Sequence, residues 1–249
     1  MRSAEAWTDG LLRSLLDAYV AEVDGAPANY SVSVRDRSTD ARSARPVHHL
    51  HRSTRAVARS RSPGRILRAL LHHLDAVVHP PAPGLLGVRA LPLVAGGRAV
   101  LAPAGLARDL AAVLPLLHRA GFRLADVPYA TVDPERAELI VPELALELQP
   151  AAARRLEELE RSAGAGDGAV APGRYPLAAW AFPAGDPPGA LPGDRGRLWA
   201  YPTVVESAGA GVVGTFALLD RLLARVPAVS VPSAVPAQVR HLTGLDRTA

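Results

Sequence analysis

The chain has 249 residues, 49% of them hydrophobic, and 28 basic against 24 acidic side chains give it a formal net charge of +4; that is enough apolar material to bury a sizeable core. It has no cysteine, and all 28 basic residues are arginine, which excludes disulfides, thiolate metal sites, a cysteine nucleophile, a Schiff-base lysine and a Walker-type lysine. The apolar runs near Leu85 to Leu117 are cut by Pro92, Arg98, Pro103, Arg108 and Asp109 before reaching the ~18 residues a membrane helix needs.

The opening MRSAEAWTDGLL, with Glu5 and Asp9, lacks the charged-then-apolar layout of a signal peptide, so a cytoplasmic protein is expected. Leu11, Leu12, Leu15, Leu16 and Tyr19 recur at spacings of three and four, which predicts an amphipathic helix over Glu5 to Val23, stopped by Asp24-Gly25. Tyr30, Val32 and Val34 alternate with Ser31 and Ser33 and predict a half-buried strand.

From Arg35 to Arg68, ten arginines face only Asp36 and Asp40. Such a run can bind a polyanion, and Arg52, Arg55, Arg59 and Arg61 are its candidate contacts. It has no aromatic residue on which bases could stack, so nucleic acid is not the favoured partner, and a solvated basic segment is the plainer reading. Inside it stand His48, His49 and His51. Strand alternation would put His49 and His51 on one face, a weak metal candidate lacking a third ligand of familiar spacing.

Ser62-Pro63 reads as an N-cap with proline in the first turn, opening a helix to Val78 that His79-Pro80 ends. Leu85 to Val94, interrupted by Arg89 alone, predicts a buried central strand. Gly96-Gly97 signals a tight hairpin into a strand from Arg98 to Ala102. A turn with Pro103 and Gly105 leads to a helix whose Leu106, Leu110, Val113, Leu114 and Leu117 face inward; Pro115 should kink or break it and Gly121 should cap it.

Short strands are expected at Phe122 to Leu124, Tyr129 to Val132 and Ala137 to Val141, then a charged helix from Pro150 to Ser162 and a flexible linker from Gly164 to Gly173. Strands at Tyr175 to Phe182 and Leu198 to Val205 flank a Pro/Gly-rich loop. A helix from Thr215 to Arg225, with Phe216 on its apolar side, a strand at Ala228 to Val231 and a helix at Pro236 to Thr243 complete the chain. Gly209-Ala210-Gly211-Val212-Val213-Gly214 spells G-x-G-x-x-G, but the strand after it, VPAVSVPS, has no acid to take a ribose, so a Gly/Ala-rich turn is expected. Mixed strands and helices with hairpin signals predict an α/β sandwich with a mixed sheet.

Several of these stretches fall in a familiar order: Arg89-Ala90, then Gly97-Arg98-Ala99-Val100-Leu101, the helix ending Arg119-Ala120-Gly121, then Phe122-Arg123-Leu124 and, later, Tyr175-Pro176-Leu177. In this the run from Arg65 to Val231 resembles the ATP-binding domain of HPr kinase/phosphorylase and its relatives, kin to the phosphoenolpyruvate carboxykinase fold. The resemblance implies an HPr-kinase-like α/β domain over residues 62–249, with residues 1–61 a small N-terminal helix and strand extension.

The departures lie at the functional positions. Where the family has Gly-x-x-Gly-x-Gly-Lys-Ser, this chain has PAGLARDLAA, with Leu110 in the lysine column, Gly105 the one glycine left and Asp109 repelling phosphate. The family's histidine matches Arg89, and its paired Asp is reduced to Asp126. Losing lysine, metal-ligand hydroxyl and one carboxylate removes most of the electrostatic stabilisation that phosphoryl transfer needs. The expectation is therefore a pseudokinase-type protein with no cofactor, acting as a binding, scaffold or regulatory partner of a protein or peptide, with self-association left open, in a biosynthetic or regulatory setting. Two alternatives stay open. One is an ATP/Mg²⁺-dependent phosphotransferase in which Arg89, Arg108 and Arg123 around Gly105 clamp phosphate and Asp126 is base or metal ligand; the other is the Arg-rich polyanion binder.

Overall fold

The computed structural model describes residues 2–3, 6–19, 29–34, 47–53, 55–60, 62–78, 82–125, 127, 129–146, 148–161, 170–183, 188–206 and 209–245. In chain order its elements begin with β1 (Arg2–Ser3), α1 (Ala6–Leu16), β2 (Tyr30–Ser33), β3 (His48–Arg52), β4 (Arg55–Ser60), α2 (Pro63–Val78), β5 (Leu86–Val88), β6 (Ala90–Ala95), β7 (Arg98–Pro103), α3 (Leu110–Arg119) and β8 (Arg123–Leu124). They continue with β9 (Ala130–Asp133), β10 (Glu138–Val141), α4 (Pro150–Arg161), β11 (Gly173–Phe182), β12 (Gly189–Ala190), α5 (Gly193–Ala200), β13 (Val204–Glu206), α6 (Gly211–Leu223), β14 (Ala228–Ser230) and α7 (Val235–Leu245). The mixed α/β class expected from the sequence is what the chain adopts.

Contacts group these elements into two compact units, Met1–Asp75 with Leu144–Asp167, and Ala76–Glu143 with Gly168–Ala249. The sequence reading placed a division after residue 61; the first unit also takes in most of α2 and all of α4, because their apolar stripes pack on its strands.

The first unit is a four-stranded sheet in the order β1-β2-β3-β4, with β1 parallel to β2 and the other pairs antiparallel. Val32, Val34 and Leu50 are buried on one face against Ile66, Leu67, Leu70 and Leu71 of α2, Leu12 and Leu15 of α1 and Leu156 of α4. Ser62 caps α2 as expected, its Oγ accepting the Arg65 N–H at 3.3 Å. The helix expected to reach Val23 is α1 followed by a 3₁₀ turn at Asp17–Tyr19; residues 20–28 lie outside the described residues.

The second unit is built on a ten-stranded mixed sheet, with the path β13-β5-β9-β10-β11-β7-β6-β8 and β14 pairing with β11 and β12. The long strand β11 runs antiparallel to β10 and parallel to β7 and β14. Apolar side chains fill both faces: Ala99 and Leu101 of β7 pack with Trp180, Leu218, Leu219 and Leu222, while Val100 and Ala102 pack with Val113, Leu117, Val239 and Leu242. This is three layers, with α5 and α6 on one face and α3 and α7 on the other. It explains why β7 is a nearly unbroken apolar run.

The hairpin at Gly96 and Gly97 forms, with φ of 55° and 79°, the double left-handed turn that joins β6 to β7. Three expectations need correction. Leu85 to Val94 is two strands rather than one, because at Arg89 the chain leaves the β9-side partners of β5 for the β7-side partners of β6. Leu198 to Val205 is mostly helix: α5, then a 3₁₀ turn at Tyr201–Thr203, then the three residues of β13. Leu198, Trp199, Tyr201 and Val205 are exposed, so the run reflects an open surface rather than a strand. Helix α6 starts at Gly211, ahead of the expected Thr215. Pro115 sits within α3, which continues through it to Arg119 with the proline exposed.

Candidate functional site

The stretch where a phosphate loop would lie has its own local geometry. β7 ends at Pro103, the chain takes a 3₁₀ turn over Ala104–Asp109, and α3 follows at once. A phosphate nest needs residues in the left-handed region so that successive N–H groups converge. Gly105 is exposed and has no positive φ; among the described residues, none from Arg98 to Ala120 has one. Leu106 is buried beside Val113 and Leu117, so this side chain of the turn goes into the core.

The residues expected around this turn are not gathered on one ligand. Arg89 is exposed in the link between β5 and β6, its N–H donating to the carbonyl of Thr203 at 2.6 Å. Arg123 is exposed on β8, opposite Val94 near the far end of β6, and strand rise sets that position about 16 Å along the sheet from Arg89. The side chain of Arg108 and the whole of Asp126 lie outside the described residues.

In the first unit, His48 is 2% exposed on the face turned to the core, whereas His49 and His51 share the opposite face, their rings stacked with centroids 5.9 Å apart. Arg59 stands across the strand from His49. The three histidines therefore do not converge, and no group of three metal-ligating side chains comes together among the described residues. Arg52 is exposed, its guanidinium 6.0 Å from the centre of the Tyr30 ring. The side chain of Arg55 and the whole of Arg61 lie outside the described residues. Among the described residues no helix is long and apolar enough to cross a membrane.

Sequence reading missed an apolar face on the second unit. Val212 and Val213 in the first turn of α6 are 67% and 84% exposed, and Leu198 on α5 is 74% exposed. Trp199, Tyr201 and Phe216 stand open beside them, each with about 40% of its surface in water. Tyr201 and Phe216 stack, joining the end of α5 to α6, and Arg197 of α5 pairs with Asp220 of α6 at 2.7 Å. A contiguous apolar surface of this kind marks an interaction site far more often than a scattering of single residues does. The available signal was the placement of Leu198 and Trp199 after Pro192, a proline that opens a short helix, with Arg195 and Arg197 between.

The G-x-G-x-x-G stretch lies at the same place. Gly209 and Gly211 have φ of 71° and 59°, and the motif is an exposed turn running into the first turn of α6, as the Gly/Ala-rich reading expected. A shallow groove of about 310 Å³ runs along its other flank, lined by Gly84, Ala210, Ala217 and Arg221. Comparison of the chain with protein-family models, curated proteins and solved structures finds no match.

Proposed function

We propose that the chain is a non-catalytic binding protein, a scaffold or regulatory partner on an HPr-kinase-like frame, that works by docking another protein or peptide. The observation that carries a binding role is the open apolar face of α5 and α6, which costs solubility unless something covers it. The absence of chemistry is supported by the 3₁₀ turn at Ala104–Asp109, where Gly105 forms no nest, and by a chain that has no lysine to recruit. An arginine-clamped phosphotransferase is less well supported, because Arg89 and Arg123 stand at opposite ends of β6.

Two measurements test this reading. Isothermal calorimetry and a phosphate-release assay with Mg-ATP should give neither saturable heat nor turnover above the blank; binding with turnover would refute the non-catalytic role. Affinity capture from the source cells should retain a partner on the native chain and lose it on Val213→Asp, and equal retention would move the docking site elsewhere.

A further inference from the structure

The apolar face has a charge frame that narrows what can cover it, provided the binding role proposed above is right. Arg195 precedes Leu198 and Trp199 by three and four residues on α5, so helical spacing puts it on their side. It is exposed and has no ion pair among the described residues. Arg89, also exposed and without an ion pair among the described residues, is tied by its backbone to Thr203, two residues beyond Tyr201. The carboxylates of the same two helices are already engaged: Asp194 and Asp220 both pair with Arg197, at 3.5 and 2.7 Å. Among the described side chains, Arg89, Arg195 and Arg197 outnumber Asp194 and Asp220 by one, so the charge around the face is positive on balance.

Beside Tyr201 the sheet also ends. β13 pairs with β5 through Val204 and Glu206, and among the described residues no strand lies on its other side. An open strand edge is complemented by another peptide backbone.

We propose that this face docks an acidic segment of a partner protein, with aromatic or aliphatic side chains on the Tyr201–Phe216 stack and carboxylates on Arg89 and Arg195. Charge complementarity sets the choice of occupant. A second copy docking the same face on itself would set one cationic rim against another, with like charges opposed. An anionic lipid surface would satisfy the arginines but leave the backbone of β13 without a partner.

The test selects a random 16-residue peptide phage library on the full-length chain. Enriched peptides should combine Asp or Glu with Trp, Phe or Leu. A synthetic copy of the most enriched peptide, followed by fluorescence anisotropy, should bind at least about tenfold more weakly to Phe216→Ser and to the double variant Arg89→Glu/Arg195→Glu, and more weakly again as salt rises. Arg89 and Arg195 are exposed, so the double variant should keep the native thermal midpoint, and Phe216→Ser should lower it only by the about 2–4 °C that losing the Tyr201 stack costs, which separates lost binding from lost folding.

No enrichment, enrichment of basic peptides, or affinity unchanged by these substitutions overturns the proposal. So does a concentration-dependent dimer in ultracentrifugation that Val213→Asp abolishes, which would make the occupant a second copy. Binding to phosphatidylserine vesicles without peptide enrichment would make it a membrane. Turnover of Mg-ATP refutes the non-catalytic reading whatever the peptides show; a partner still captured through Val213 without any acidic peptide motif refutes this inference alone.

Discussion

Tyr201 and Phe216 lie face to face, ring centroids 4.4 Å apart and planes 3° from parallel, each residue 43% exposed. Stacking covers one side of each ring and leaves the other to solvent, so the pair stabilises the α5–α6 junction while remaining part of the open face. Such a pair contributes about 0.5–1.5 kcal/mol beyond its area burial. Phe216→Ala and Tyr201→Ala should each lower urea-unfolding stability by about 1 kcal/mol, and the double variant by less than the sum. Strict additivity would show that the rings do not interact in solution.

His73 supplies a pH dependence. Burial is the main cause that pulls its pKa from 6.5 to about 4, helped by the positive charge of Arg52 and by His72; its ring also meets Tyr30 edge-on at 6.0 Å. The folded chain keeps this imidazole neutral, whereas the unfolded chain takes up a proton near pH 6.5. Its stability contribution is thus whole above pH 6.5 and is lost as pH falls toward 4. The loss should be on the order of 2 kcal/mol, less than the full shift converts to because the ring is only partly buried. Urea unfolding between pH 7 and pH 4 should show this slope, and His73→Gln should flatten it. An unchanged slope in the variant would assign the dependence to other groups.

How much of this was readable in advance depends on what the residue pattern reports. Alternation at Tyr30 to Val34, the Gly96-Gly97 turn and the Ser62 cap act through backbone chemistry local to each stretch, and each forms where the sequence puts it. Apolarity is a different signal, since it marks what water would leave and not what the fold covers. Leu198 to Val205 therefore read as a strand although Leu198, Trp199 and Tyr201 lie open on α5 and the turn after it, and Phe216, read as part of the apolar side of its helix, is 43% exposed. Arg89 marked a break in Leu85 to Val94, but the change of strand partners there depends on β9 and β7, which no local window contains. The strand–turn–helix frame from Arg98 to Gly121 was legible; the use of the molecule's surface was not.

Arg174 on β11 ties two strands at once, its guanidinium donating to Asp133 at 2.9 Å and Glu138 at 3.1 Å. Burial alone would raise the pKa of Asp133, but the Arg174 hydrogen bond and the N–H groups of Arg136 and Glu135 outweigh it and hold the carboxyl below its ordinary 3.8. A carboxylate lowered in this way stabilises the fold above its unfolded pKa, and the gain is lost as pH falls through the lowered value. Arg174→Ala should reduce the thermal midpoint at neutral pH, and the gap from the native chain should close in acid. Arg174→Lys should recover only part, since an ammonium lacks the planar fork that reaches both acids. Calorimetric scans across this range decide it, and a gap that persisted in acid would mean that Arg174 acts through packing.

Two glycines, one inside the turn where a phosphate loop would lie and one at the end of the helix that follows it, make opposite predictions. Gly121 has φ of 85° and closes α3: its N–H donates to His118 and that of Phe122 to Leu117, both at 2.9 Å, with Phe122 and Leu117 packed in the same core. Gly105 has no positive φ, and a Cβ built on it would meet nothing within 4 Å. Gly121→Ala should therefore cost about 1 kcal/mol, by forcing a side chain into the left-handed region. Gly105→Ala should be neutral or stabilise by up to about 1 kcal/mol, because alanine restricts the unfolded chain and fits the 3₁₀ turn. A phosphate nest would reverse the second result, since its glycines are needed for backbone shape even when no ligand is bound. Urea unfolding of the two variants thus reads the state of the loop without any nucleotide: a Gly105→Ala loss as large as that of Gly121→Ala would restore the phosphate-loop reading, and a neutral result leaves Pro103 to Asp109 a structural turn between β7 and α3.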